Sequence, residues 1–192
     1  MEFDFFAYLS RMRYIKRWSL MHSVIDENIA EHSDEVAVIA HALCSIAREY
    51  YGKRYDLEKV LLYALYHESS EVITGDLPTP IKYYNKEINS AYKDLEAKAC
   101  EKLISSLPEK LKEHYTACLI PDENSDEYKT VKYADKISAY IKCVIEVRSG
   151  NKEFVKAKQS ISRQLKEIPA EEVAFFLKNV MPVYEKTLDE LE

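Results

Sequence analysis

His67 and Glu68 stand side by side after the apolar run 60–66, and Glu71 follows four residues past the histidine. Leu57, Val60, Leu61, Ala64 and Leu65 recur at helical spacing, so the pair lies at the buried end of a core helix. That spacing sets Glu71 one turn above His67 on the same face. A histidine and two carboxylates are costly to bury without a positive partner, and a divalent cation supplies one. The competing explanation is a solvated helix end with ordinary acids, because N/O clusters this small also arise by chance.

The five histidines are His22, His32, His41, His67 and His114. Most histidines on helices are surface or satisfied core residues, and His22, His41 and His114 are assigned to that group. His32 differs, because it follows Glu31 near the start of a second long helix. Asp135 differs too. It sits at the edge of an apolar face formed by Val131, Ala134, Ile137, Ser138 and Ile141, where a charge needs an explanation. His32, His67, Glu68 and Asp135, from three helices, would make a mixed N/O site. Such sites suit Mn, Co, Fe, Ni or Zn and leave positions open for water and substrate.

The elements that must hold these residues are helical. Phe3, Phe6, Leu9 and Arg13 predict a first helix to about Lys16, and residues 17–28 lack periodicity and read as a loop. Residues 31–51 form a helix that stops at Gly52, and Asp56 caps the next one. Residues 74–80 hold one glycine and two prolines, which marks a structured loop. Helical spacing resumes through Tyr84, Ile88, Ala91, Tyr92, Leu95, Ala99 and Leu103. A short helix begins near Pro108, residues 121–126 are a polar loop, and a long helix then runs to Gly150. Two more helices end the chain, the last kinked at Pro182. Neither an internal repeat nor a domain-sized linker is evident, so residues 1–192 are expected to form a single all-α domain.

Bulk composition narrows the partners. With 3 Gly and 6 Pro in 192 residues, there is too little punctuation for a β-sandwich or barrel. Net charge is −6 with no long basic run, which argues against a nucleic-acid polymer but allows a small anion held by one or two cations. No apolar run approaches a membrane span, and residues 1–17 are acidic and aromatic where a secretory leader is basic and then apolar. Cys44, Cys100, Cys118 and Cys143 form no CxxC pair. A cytoplasmic protein with reduced, core-filling thiols is expected, with no membrane partner.

The spacing His32, then His67 with its acid, then Asp135 resembles the H…HD…D signature of the HD-domain phosphohydrolases. Arg17 to Met21, Asn28 to Ser33, His67 to Tyr83 and Lys132 to Cys143 look like the YfbR-type 5′-deoxynucleotidases, in matching order along nearly the whole chain. The HD pair alone is a weak motif; residues 71–82 joined to the upstream Arg17-Trp18 make a strong one. The resemblance implies an all-α HD-domain helical bundle, a homodimer, and removal of phosphate from deoxyribonucleoside 5′-monophosphates in preference to ribonucleotides. It implies one divalent metal, Co2+ or Mn2+ first, with Zn2+, Fe2+, Ni2+ and Mg2+ as alternatives, held by His32, His67, Glu68 and Asp135. It makes Arg17 the phosphate-orienting residue, Trp18 the residue beside the sugar, and Glu71 the proton-transfer group. Asp76, Leu77, Pro78 and Thr79 would line the nucleotide pocket, with Glu68 and Asp135 also facing substrate.

Elementary chemistry suits those roles. A divalent ion lowers the pKa of a water it holds. Arg17 can grip phosphate oxygens bidentately. Glu71, kept partly protonated by burial and neighbouring carboxylates, can protonate the leaving 5′ oxygen. Asp76 can accept from a sugar hydroxyl, and a bulky ring beside C2′ rejects an added hydroxyl. Core packing is the competing role for Trp18, the single tryptophan.

One position departs from the family pattern: Glu68 stands where the family has Asp. Its carboxylate reaches one methylene further, so it ligates with its neighbours adjusted, binds through a water, or impairs the site. An HD-type nucleotide-binding protein with an impaired metal site, and a phosphohydrolase of another nucleotide, are the alternative functions. A Glu68→Asp variant is expected to bind metal at least as tightly as the native chain in a metal titration. Weaker binding would show that the site has adapted to Glu.

Overall fold

The computed structural model describes residues 3–191. Among them no strand occurs; the single bridge pairs Lys16 with Asn28. The first helix, α1 (Asp4–Leu9), does not run to Lys16. It tightens into a 3-10 segment, Ser10–Tyr14, and Ile15 is extended. The Lys16–Asn28 bridge then closes residues 17–27 into a loop, as the missing periodicity suggested.

α2 (Ile29–Tyr51) begins where Asn28 forms a capping box with Glu31 and ends at Gly52, whose φ of 67° is left-handed. α3 (Leu57–Tyr66) is capped by Asp56, whose side chain accepts from the Lys59 N–H. The segment 74–80 is less of a loop than its composition suggests. Thr74 ends α4 (Glu71–Thr74), Gly75 turns the chain at φ 72°, and Thr79 opens α5 (Thr79–Lys82). The prolines fit because Pro78 is the cap and Pro80 lies in the first turn, where no N–H is required.

α6 (Lys86–Ser105), α7 (Glu109–Leu119) and α8 (Asp126–Arg148) follow, and after a 3-10 turn come α9 (Val155–Lys166) and α10 (Glu171–Asn179). The kink expected at Pro182 is absent. α10 has already stopped at Asn179, and Pro182 lies at the start of a separate 3-10 segment, Met181–Glu185, where its missing donor is harmless.

The core follows from the apolar stripe of α2, which packs against α3, α8 and α10. Val36, Ala40 and Leu43 meet Val60, Ala64, Ile137, Ile141, Val173 and Phe176, all buried. A smaller cluster joins Phe5 of α1 to Leu103, Leu107 and Leu119 of the α6–α7 hairpin.

The 17–27 loop lacks an apolar stripe, so polar contacts must hold it. Glu146 of α8 is fully buried and accepts from the N–H groups of Val24 (2.9 Å) and Ile25 (3.1 Å). Lys142 lies 2.6 Å from the same carboxylate and also donates to the Ile25 carbonyl. Asn151 bridges Glu146 at 2.8 Å and the His22 carbonyl at 2.7 Å. Burial pushes the Glu146 carboxyl up, but Lys142 and the donated N–H groups outweigh it and hold the pKa at about 2.

Removing one partner of a buried pair strands the other, so Glu146→Ala is expected to lose about 3–5 kcal/mol in chemical denaturation. Because the folded pKa is depressed, the contribution is full above the ordinary carboxylate value of about 4.3. It fades as pH falls toward about 2. The native chain should therefore show an acid-dependent loss in that window that the variant lacks; identical acid limbs would refute the stabilising role given to Glu146.

Candidate active site

Three stretches of chain converge on one point. His32 lies in the first turn of α2, and its side chain is buried because α2 and α8 pack directly together. His67 is the C-terminal cap of α3, and Glu68 starts the turn that follows. Glu71 is therefore not one turn above His67 on a shared helix. The chain turns at 67–70, with Glu71 N–H donating to the Glu68 carbonyl at 3.0 Å, and Glu71 opens α4. Asp135 lies on α8 one turn before Ser138.

One ligand atom from each of His32, His67, Glu68 and Asp135 lies within 4.8 Å of all the others. Glu68 Oε1 is 3.3 Å from His67 Nε2 and 3.7 Å from His32 Nε2, so its longer arm still reaches the cluster. His32 Nε2 is 3.1 Å from Asp135 Oδ1.

The hydrogen-bond network decides which nitrogens face this point. His67 Nδ1–H donates to the Ala64 carbonyl at 2.7 Å, leaving Nε2 buried with a lone pair and no hydrogen-bond partner. Ser138 donates its hydroxyl to Glu35 at 2.5 Å, so its oxygen accepts from His32 Nδ1 at 3.0 Å. His32 Nε2 then faces the Asp135 carboxylate at 3.1 Å, with its Nδ1 proton already given to Ser138 as a hydrogen bond. Lone pair facing lone pair requires a proton or a cation between them. Two imidazole nitrogens, each ring held through its Nδ1, and two carboxylate oxygens fit a divalent cation.

Burial opposes every charge here. Beside Glu68, the His67 ring together with Arg17 and His32 outweighs burial and keeps the carboxyl well below its usual range. The hydrogen bond to His32 and the Lys132 charge do the same for Asp135. His32 is pushed down by burial and Arg17, but its bonds to Asp135 and Glu27 win and raise it. Glu71 goes the other way: burial, then the Glu68 and Asp76 charges, push it up to about 10. It is thus a neutral acid at pH 7 in the cation-free site, with Oε2 buried and unpartnered.

The residues expected on the substrate side differ in how closely they approach this cluster. Arg17 Nη1 is 3.3 Å from Glu68 Oε1. Trp18 packs beside Phe154, ring centroids 5.3 Å apart, and its indole N–H donates to Glu27 at 3.1 Å. Its φ of 60° is a rare conformation for so large a residue, worth about 1–3 kcal/mol of strain. Asp76 is pushed up by burial and feels both Arg17 and Glu68. Leu77 and Pro78 are half-buried, and Thr79 is exposed at the start of α5. His22, His41 and His114 are exposed, away from the cluster.

Sequence reasoning missed two residues. Glu27 contacts Arg17, Trp18 and His32, yet nothing in its sequence neighbourhood separates it from exposed Asp26. Ser138 looked like a small member of an apolar face, and it orients His32.

An all-helical bundle that gathers two histidines and two acids at the junction of three chain segments defines an HD-domain phosphohydrolase. A solved HD-domain phosphohydrolase from Listeria innocua aligns with a TM-score of 0.84 at 26% identity, covering 94% of this chain and 88% of that one. The chain belongs to the 5′-deoxynucleotidase YfbR-like family, whose pattern matches residues 4–184. A Vibrio cholerae 5′-deoxynucleotidase is 47% identical over 191 residues, 99% of this chain and 98% of its own length. The Escherichia coli 5′-deoxynucleotidase YfbR is 42% identical over 188 residues, 97% and 94% of the two chains. An HD phosphohydrolase of cyanophage S-2L, solved with dA and one catalytic Zn2+ ion, shares the fold with a TM-score of 0.63 at 18% identity, covering 94% of this chain and 96% of that one.

A ligand that binds only the folded state stabilises it by about 2.7 kcal/mol at one hundred times its Kd. Divalent metal added to metal-free protein at that excess is expected to raise Tm by about 5–10 °C. His67→Ala should abolish the rise; an equal rise in that variant would place the ion elsewhere.

Proposed function

We infer that the chain removes phosphate from deoxyribonucleoside 5′-monophosphates, acting as a metal-dependent 5′-deoxynucleotidase. The observation that carries this is the convergence of His32, His67, Glu68 and Asp135, with a lone pair of His67 left buried and unpartnered. The family supplies the substrate class. A divalent ion held by His32, His67, Glu68 and Asp135 would supply a nucleophile near neutral pH by lowering the pKa of a water.

The remaining work falls to the chain itself. Arg17 is drawn to Glu68 by their 3.3 Å ion pair, which points its guanidinium at the cluster, where it takes the phosphate oxygens. Trp18 stands one residue further along, where its ring excludes a 2′ hydroxyl. Asp76 accepts from the 3′ hydroxyl, and Leu77, Pro78 and Thr79 border the base. Glu71, whose carboxyl burial and the neighbouring Glu68 and Asp76 push toward the protonated form, holds the proton that the leaving 5′ oxygen needs. Two consequences of the same reading are a cytoplasmic site of action, which the four unpaired cysteines suit, and a homodimer in which residues 1–192 act as one domain. Co2+ or Mn2+ is the expected ion.

Phosphate release from dAMP, dGMP, TMP and their ribo counterparts, with Co2+, Mn2+, Zn2+ or EDTA, tests this directly. Release from the deoxy set alone, lost in EDTA, is expected. Binding without release under every metal would instead establish a nucleotide-binding protein, and equal rates on AMP and dAMP would remove the role given to Trp18. Glu71→Gln cannot deliver a proton and is expected to lower kcat by about 10²–10⁴ while dAMP still binds. A kcat within a factor of two of the native value would remove Glu71 from proton transfer.

A further inference from the structure

Arg17 and Trp18 are adjacent in the chain but serve different parts of the substrate, one the phosphate and one the sugar. Their side chains meet again on a single carboxylate. Glu27 Oε1 is 3.1 Å from Arg17 Nε and 3.3 Å from His32 Nδ1. Glu27 Oε2 accepts from the Trp18 indole N–H at 3.1 Å. The Glu27 backbone carbonyl also accepts the Arg17 N–H at 2.9 Å, so the loop is closed through both main chain and side chain. The side chain is 14% exposed, which leaves water little access to compete.

We propose that Glu27 is a positioning residue that sets the spacing between the Arg17 guanidinium and the Trp18 ring, and through it the discrimination between deoxyribose and ribose. The inference rests on the function proposed above. The Trp18 backbone sits at φ 60°, and its ring leans on Phe154 alone among the described aromatic contacts, with Glu27 accepting its N–H. Steric rejection of one added oxygen needs the ring held to a fraction of an ångström, and misplacement of about 1 Å is enough to lose it. A carboxylate suits the task because one oxygen forms the ion pair with Arg17 while the other accepts from the Trp18 indole N–H. The carboxamide of glutamine offers one acceptor and sets N–H against the other donor. Glu27 touches no reacting atom and acts only through Arg17 and Trp18.

The chain contains a single tryptophan, so its fluorescence reports Trp18 alone. In metal-loaded protein, Glu27→Gln is expected to shift Trp18 emission to the red and to raise acrylamide quenching. The ratio of kcat/KM for dAMP over AMP should fall at least tenfold, with KM for dAMP raised more than kcat is lowered. Glu27→Asp keeps the charge on an arm too short for both donors and is expected to lose discrimination as well; if Glu27→Gln does not fold, it carries the test alone. Full discrimination in Glu27→Asp would show that charge suffices and overturn the proposal, as would native emission and a native ratio in Glu27→Gln. A native chain that releases no phosphate from dAMP would sink the function proposed above, and the emission comparison would still decide whether Glu27 positions Trp18.

Discussion

The structure depends on an excess of buried carboxylate over buried positive charge at one point. Glu27, Glu68 and Asp135 press against the rings of His32 and His67, with Arg17 the cation paired to two of them. A charge taken out of water is strongly unfavourable without a partner. The molecule answers in three ways. Arg17 is placed between Glu27 and Glu68, Glu71 is pushed toward its protonated form, and the unpartnered His67 Nε2 faces the point where a divalent cation would sit. The same imbalance that burdens the fold is what suits it to a divalent cation beside a protonated acid.

That arrangement requires rigid supports of two kinds. The helical supports are apolar: α2 and α8 pack through Val36, Ala40, Ile137 and Ile141, and so bring His32 to Asp135 across a long stretch of chain. The loop support is polar. Residues 17–27 have no hydrophobic face, and Glu146, Lys142 and Asn151 hold them through main-chain groups. These contacts hold the loop without engaging the Arg17 and Trp18 side chains, which pair instead with Glu27 and Glu68. Tethering a loop through its backbone thus separates stability from recognition.

Much of this was legible in order of residues. The apolar stripes of α2, α3 and α8 announced their helices, and the acid beside His67 announced a site, because both signals are local. Glu68 was legible as a departure, and the structure shows its carboxylate reaching the cluster at 3.3 Å from His67. Other signals misled. Ile88 and Leu95 of α6 repeat at helical spacing as buried residues do, yet they are exposed, as is Tyr84 just before the helix, while Tyr92, Ala99 and Leu103 of α6 are buried. Periodicity shows that a face is apolar and does not say what covers it. Pro182 suggested a kink, but whether a proline bends a helix or opens a new segment depends on where the preceding helix has already ended.

The chain's order of residues determined by itself that the protein is helical, where most helices begin and end, and which side chains could bind a metal. Those properties follow from neighbours within one or two turns. Only the tertiary structure decided that Glu71 opens a separate helix, that Ser138 directs the proton of His32, and that Glu27 joins Arg17, Trp18 and His32. These are contacts between surfaces brought together by core packing, and their donors and acceptors carry no mark in sequence that distinguishes them from acids and hydroxyls left in water.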